Sequence, residues 1–250
     1  MAKGIGVHVV SAVNKKEKAM SLERLRSQAR KFQLTIADGG PDLTCFDEQA
    51  WFMSAYYTFQ RTLWGVFSPL TDDQKNRARD LVFRQLPHLE NDSVQFKKAW
   101  SALLQRLITL SQQPNGSNGI SLGHAQKLVS IILKYAYVAD RLEKSDLPTS
   151  LRMMVQNCRK HLPVPLDNIV LKCLVVEKKL RFWRIHCTPK GSPWINEAEA
   201  EKDDGYWVRW SRLQNLNAYW DIQNKIREMA DSSEHDPMGY ELVELWSRSP

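Results

Sequence analysis

Apolar positions along this chain recur with a helical period nearly everywhere, and the strand period of two is confined to one short stretch. Residues 14–31 read as a helix with a basic face, carrying Lys15, Lys16, Lys18, Arg24, Arg26, Arg30 and Lys31. After the turn at Asp38-Gly39-Gly40-Pro41, Trp51, Phe52, Ala55, Tyr56, Phe59, Leu63 and Trp64 share one face of a helix that starts near residue 47. Residues 71–86 and 93–111 are predicted as two more helices, broken at Pro87-His88. Thr71 is the expected cap of the first, with Asp72 and Asp73 at its positive end. Asn115-Gly116-Ser117-Asn118-Gly119 is a loop. A helix then opens near Gly123 and ends near Arg141, with apolar residues at 128, 129, 132, 133 and 136. Further helices are expected from Leu147-Pro148 to about residue 160, over 168–180, over 209–229 and over 240–247. Arg181 to His186 alternates and is either a short strand or an irregular packed segment, and Thr188 to Asp204 reads as a loop. There is no internal repeat and no low-complexity block. The expected class is all-α.

Two stretches carry candidate chemistry. In Ser121-Leu122-Gly123-His124-Ala125-Gln126-Lys127 the lysine falls near the start of a helix, where the helix dipole disfavours a cation. The same field lowers a lysine's pKa, and a lysine must lose its proton to act as a nucleophile. The alternative is a surface lysine on an amphipathic helix. In His161-Leu162-Pro163-Val164-Pro165-Leu166-Asp167 two prolines impose an extended approach, and Asp167 stands where an apolar helix begins. By itself an aspartate there is a helix N-cap.

Taken together, the two stretches resemble the helix-hairpin-helix DNA glycosylases, especially the 8-oxoguanine glycosylases and their archaeal branch. Those enzymes carry a Leu-Pro-Gly-Val-Gly-x-Lys hairpin and, downstream, a Val-Pro-Val-Asp segment. The counterparts here are Ser121 to Lys127 and Val164-Pro165-Leu166-Asp167. Leu122 replaces the hairpin proline, Ala125 replaces the second glycine, and the interval from lysine to aspartate is longer. The resemblance covers roughly residues 121–175. It implies a two-lobed helical bundle in a single domain over 1–250, one lobe being about 1–110 with the C-terminal helix 205–250 and the other the hairpin lobe 111–185. It implies excision of a flipped-out base, with Lys127 attacking the sugar and Asp167 as the catalytic carboxylate, with or without strand cleavage. Gly119, Ser121, Gly123, His124 and Ala125 would hold a phosphate through backbone N–H groups. Tyr57, Gln60, Pro165 and His161 would line the base pocket. For Gln60 a surface position, and for His161 a core or surface position, is the competing reading. The target base would be an 8-oxoguanine-like lesion, in repair, or a hypermodified base in foreign phage DNA.

Composition narrows the partners. The formal charge of +7 favours a polyanion, here double-stranded DNA. Nine tryptophans exceed ordinary usage, some for the core and some available to stack on bases. Cys45, Cys158, Cys173 and Cys187 are scattered, with no Cys-x-x-Cys pair and no compact iron–sulfur cluster. Cys158 and His161 could form one edge of a zinc site, but no second pair matches them, so no metal and no cofactor is expected. The pattern shows neither a secretory signal nor a membrane span, which points to a cytoplasmic monomer without a membrane partner. No nucleotide-binding glycine loop, His-Glu-x-x-His or Gly-x-Ser-x-Gly motif is present, which disfavours an NTPase, a zinc hydrolase or a serine esterase. The competing function is a non-catalytic helical DNA-binding protein that uses the hairpin as a phosphate clamp. A protein-interaction module stands third.

Overall fold

The computed structural model describes residues 22–29, 70–112, 119–142, 147–174, 210–213 and 215–245. All regular structure among them is helical: α1 (22–29), α2 (Asp72–Gln85), α3 (Ser93–Ser111), α4 (Leu122–Arg141), α5 (Thr149–Cys158), α6 (Asn168–Lys172), α7 (Leu216–Ser232) and α8 (Pro237–Tyr240). Short 3-10 turns occupy Leu86–His88 and Trp210–Arg212, and α8 runs into a π-helical turn, Glu241–Leu245. The helix expected near residue 47 and the alternating stretch 181–186 lie outside the described residues, as do Tyr57 and Gln60.

The caps set these boundaries. Thr71 begins α2 with a capping box closed by Gln74, and Asp92 caps α3 through Val94 and Gln95. Ser121 begins α4, its hydroxyl accepting from the His124 N–H while His124 Nδ1 accepts from the Ser121 N–H. The helix expected over 209–229 is divided. Trp210–Arg212 forms a separate 3-10 turn, and α7 starts only after Asn215, whose side chain accepts from the N–H groups of Asn217 and Ala218.

Helix α4 runs through the centre, packed by α3, by α5 and by the Trp210–Arg212 turn. Its hydrophobic period suggested a single buried face, yet residues on every side of it are buried, from Leu122 and Ala125 to Tyr137 and Val138. Trp100 and Trp220 are core residues that tie α3 to α7. Trp100 Nε1 donates to the Tyr219 hydroxyl at 3.0 Å, and Trp220 Nε1 donates to Ser101 Oγ at 2.9 Å. The described residues share one continuous apolar cluster from Leu25 to Leu245. Among them, no helix is long and apolar enough to cross a membrane.

Candidate active site

Burying α4 so completely brings its polar residues inside, where each needs a partner. Lys127 and Asp167 meet there. The ammonium Nζ lies 3.7 Å from Asp167 Oδ2, an ion-pair contact longer than an ordinary hydrogen bond, and the side chains are 15% and 24% exposed. The other oxygen, Oδ1, accepts from the Val170 N–H at 3.0 Å and caps α6. Asp167 therefore caps α6 through one oxygen and faces Lys127 with the other.

The approach to Asp167 explains how this carboxylate is aimed. Leu162 to Leu166 is buried extended backbone, and Pro163 and Pro165 within it have no N–H to satisfy. Two glutamines supply what a neighbouring strand would. Gln126 donates to the Leu166 carbonyl at 2.8 Å and accepts from the Leu166 N–H at 3.1 Å. Gln223 brackets Val164 in the same way, at 2.8 Å and 3.0 Å. A primary amide carries both a donor and an acceptor, so one glutamine satisfies a whole residue. Gln126 is a polar residue on a helix whose polar side would ordinarily face outward. It is fully buried, since 126 falls in the same row as Leu122, Val129 and Leu133. Because Lys127 follows it on the same helix, Gln126 fixes the lysine's helix against the aspartate's strand-like approach.

Trp210 completes the site. Its ring lies 4.4 Å from Lys127 Nζ, a cation–π contact, and meets the His124 ring edge-on at 5.3 Å. The turn that carries it is docked onto the start of α4. Ser121 Oγ donates to the Ser211 carbonyl at 2.5 Å, and the Gly123 N–H donates to the Leu213 carbonyl at 2.9 Å. A Cβ at Gly123 would sit 1.6 Å from the Trp210 carbonyl oxygen.

At the expected phosphate clamp, backbone donors already have partners within the chain. The close approach at Gly123 is made by the chain's own backbone, and its N–H is taken. The N–H groups of Ser121, His124 and Ala125 are also bonded within the α4 cap, and that of Ile120 to Ser111 Oγ. Ala125 is fully buried, and Gly119 packs against Ser111. This helix start is closed by its own chain.

Lys127 also lies deeper in the helix than its spacing from Gly123 implied. With Leu122 as the first helical residue, it falls in the second turn, where the dipole has largely faded. Its amine is still held below the usual lysine range, mainly by burial. The Lys134 cation contributes in the same direction, and Asp167 acts against both. The expected direction thus holds for a different cause.

Burial, with Lys127 beside it, lowers the His124 imidazole to about 4, so the ring is neutral near pH 7 and accepts the Ser121 N–H at Nδ1. A base with a depressed folded pKa binds its proton more readily when unfolded. Its contribution to stability is therefore complete above the unfolded value of about 6.5, is lost as pH falls towards about 4, and is absent below that. With a discount for the partly wet ring, the loss is about 2 kcal/mol. Denaturant unfolding at pH 7.5 and 4.5, in wild type and His124→Gln, checks this. The variant is expected to lose less stability over that interval.

The remaining expected residues lie elsewhere. The His161 ring packs near Phe96, with centroids 6.0 Å apart, and its carbonyl accepts from Arg227. Pro165 is buried in the extended segment. Cys158 Sγ donates to the Leu89 carbonyl at 3.3 Å. Among the described residues, no group of three His, Cys, Asp or Glu side chains is placed to hold a metal.

No family model, curated protein or solved structure matches this chain. What the site can do is accordingly argued from its geometry. A half-buried amine with a lowered pKa beside a carboxylate can serve as a nitrogen nucleophile with a charge partner, and the same pair can serve as a structural ion pair. Sequence reasoning missed Trp210, Gln126 and Gln223. Only Gln126 left a signal, in its place on the apolar row.

Proposed function

We propose that the protein is a DNA glycosylase that extrudes a modified base and excises it, with Lys127 as nucleophile and Asp167 as catalytic carboxylate. The observation that carries this reading is the half-buried Lys127–Asp167 pair at 3.7 Å, with the amine held below its usual pKa. The neutral Lys127 amine attacks C1′ of the extruded nucleotide, and the base leaves with the electron pair of the glycosidic bond. Asp167 Oδ2 stabilises the positive charge that develops on the sugar. The amine's two protons pass to the departed base and, as the C1′–O4′ bond breaks and the sugar ring opens, to O4′, which leaves a Schiff base between Nζ and C1′. Phosphate contacts in this reading come from basic side chains of a chain of net charge +7, because the backbone donors at the start of α4 are already used.

Borohydride trapping tests the proposal on a panel of duplexes carrying 8-oxoguanine, other lesions or hypermodified bases. A covalent adduct that maps to Lys127 is expected, together with duplex binding that weakens steeply with salt. Salt-sensitive binding with neither adduct nor base release on any duplex would instead identify a non-catalytic DNA-binding protein. Absence of duplex binding at low salt would point to a protein-interaction module.

A further inference from the structure

Lys127, Lys134 and Arg141 are spaced seven apart on α4, two helical turns each, and so form one row. Each cation in the row meets a carboxylate from a later part of the chain: Asp167, Glu241 and Asp236 respectively. The middle pair differs from its neighbours. Lys134 and Glu241 are 3% and 2% exposed, and Lys134 Nζ lies 2.8 Å from both carboxylate oxygens. Withdrawing two charges from water is costly, and an apolar pair of similar volume often serves stability as well. A pair kept in the core therefore calls for another role.

Its position supplies one. The turn Glu241–Leu245 packs against α6, the helix that Asp167 caps, and Lys134 lies two turns along α4 from Lys127. We infer that Lys134 and Glu241 form a positioning pair that sets the protonation of Lys127 from behind the site; its catalytic consequence rests on the proposed role of Lys127 as nucleophile. Among the described residues, the charges acting on Lys127 are Asp167 from the cap of α6 and Lys134 from α4 itself, and Glu241 from the π turn acts on both of those. His124 is neutral and Trp210 offers its ring face. Glu244, on the same turn as Glu241, is paired with Arg24 at 3.3 Å, and Arg141 is engaged with Tyr137 and Asp236 at the far end of α4.

The signs follow from Coulomb's law. The Lys134 cation disfavours a second cation at Lys127 and lowers its amine, while burial does the larger share. Glu241 moderates Lys134. Burial holds the Glu241 carboxyl above its ordinary value against the pull of Lys134, and the Asp167 charge adds to that rise. Removing the Glu241 charge leaves Lys134 unmoderated, so Lys127 should titrate lower. Removing the Lys134 charge should make it titrate higher.

The test needs no DNA. Reductive methylation of the full chain with formaldehyde and cyanoborohydride, followed across pH by mass spectrometry of the Lys127 peptide, reports the fraction of neutral amine. Lys134→Met combined with Glu241→Met avoids a lone buried charge. It is expected to move the Lys127 profile to higher pH, with labelling near neutrality lower by several-fold. Glu241→Gln is expected to move it to lower pH. Should Glu241→Gln fail to fold, the exchanged pair Lys134→Glu with Glu241→Lys keeps a buried ion pair and puts an acid on the Lys127 row, so it too should shift the profile upward. Profiles that superimpose on wild type, a downward shift in either double variant, or an upward shift in folded Glu241→Gln would overturn the inference. Wild-type protein that excises no base would end the glycosylase proposal and leave this labelling comparison intact.

Discussion

On the proposed glycosylase reading, Asp167→Asn is expected to slow single-turnover base excision by about 10²- to 10⁴-fold, the range typical of a positioned carboxylate, with duplex affinity retained. The two oxygens of Asp167 make this variant informative. An asparagine can keep its carbonyl on the Val170 N–H, so the cap on α6 survives. Its amide then replaces Oδ2, the oxygen that faces Lys127 Nζ at 3.7 Å, and the negative charge beside the developing sugar cation is gone. Asp167→Ala loses the cap as well, at about 1 kcal/mol of stability. Lys127→Gln should abolish the borohydride adduct, because an amide forms no Schiff base, while slow base release by water can persist. If Asp167 served only as a cap, Asp167→Asn would excise at the wild-type rate and Asp167→Ala would be merely less stable. Rates measured on folded, DNA-binding variants decide between these outcomes.

Gly123→Val is expected to destabilise the fold by about 3 kcal/mol or more, the upper end for forcing volume into a packed place. Any Cβ at this position would lie 1.6 Å from the Trp210 carbonyl oxygen, and that neighbour is backbone, which cannot swing aside as a side chain can. The turn Trp210–Arg212 would have to lift off α4. That would break the bonds from Gly123 N–H to Leu213 and from Ser121 Oγ to Ser211, and carry Trp210 away from Lys127. Urea unfolding should show a lower midpoint with an unchanged slope. A phosphate-approach role for this glycine predicts the reverse, namely unchanged stability with weaker DNA binding, and would require the docked turn to be dispensable.

The helical class and several helix starts were legible in the sequence because they depend on short-range chemistry. Thr71 and Asp167 cap helices through atoms three residues away, and the apolar rows of α3 and α4 repeat within each turn. Lys127 and Asp167 were singled out as residue types at the starts of two helices and by resemblance. That they stand 3.7 Å apart was decided by tertiary structure, since the 39 positions between them set no distance. The buried state of α4 was likewise invisible locally. Its period shows one apolar face, and only the elements packed around it determine that Lys134 lies inside, bonded to Glu241. The same holds for the cause of the lowered Lys127 amine. Sequence placed it on the helix dipole, a property of a helix end, whereas burial comes from the 3-10 turn of Trp210 and the α6 cap arriving from far along the chain. Capping and periodicity act over one or two turns and can be read from neighbours. Burial, ion pairing and closure of the α4 start by the Trp210 turn join residues tens of positions apart, and only the folded chain brings them together.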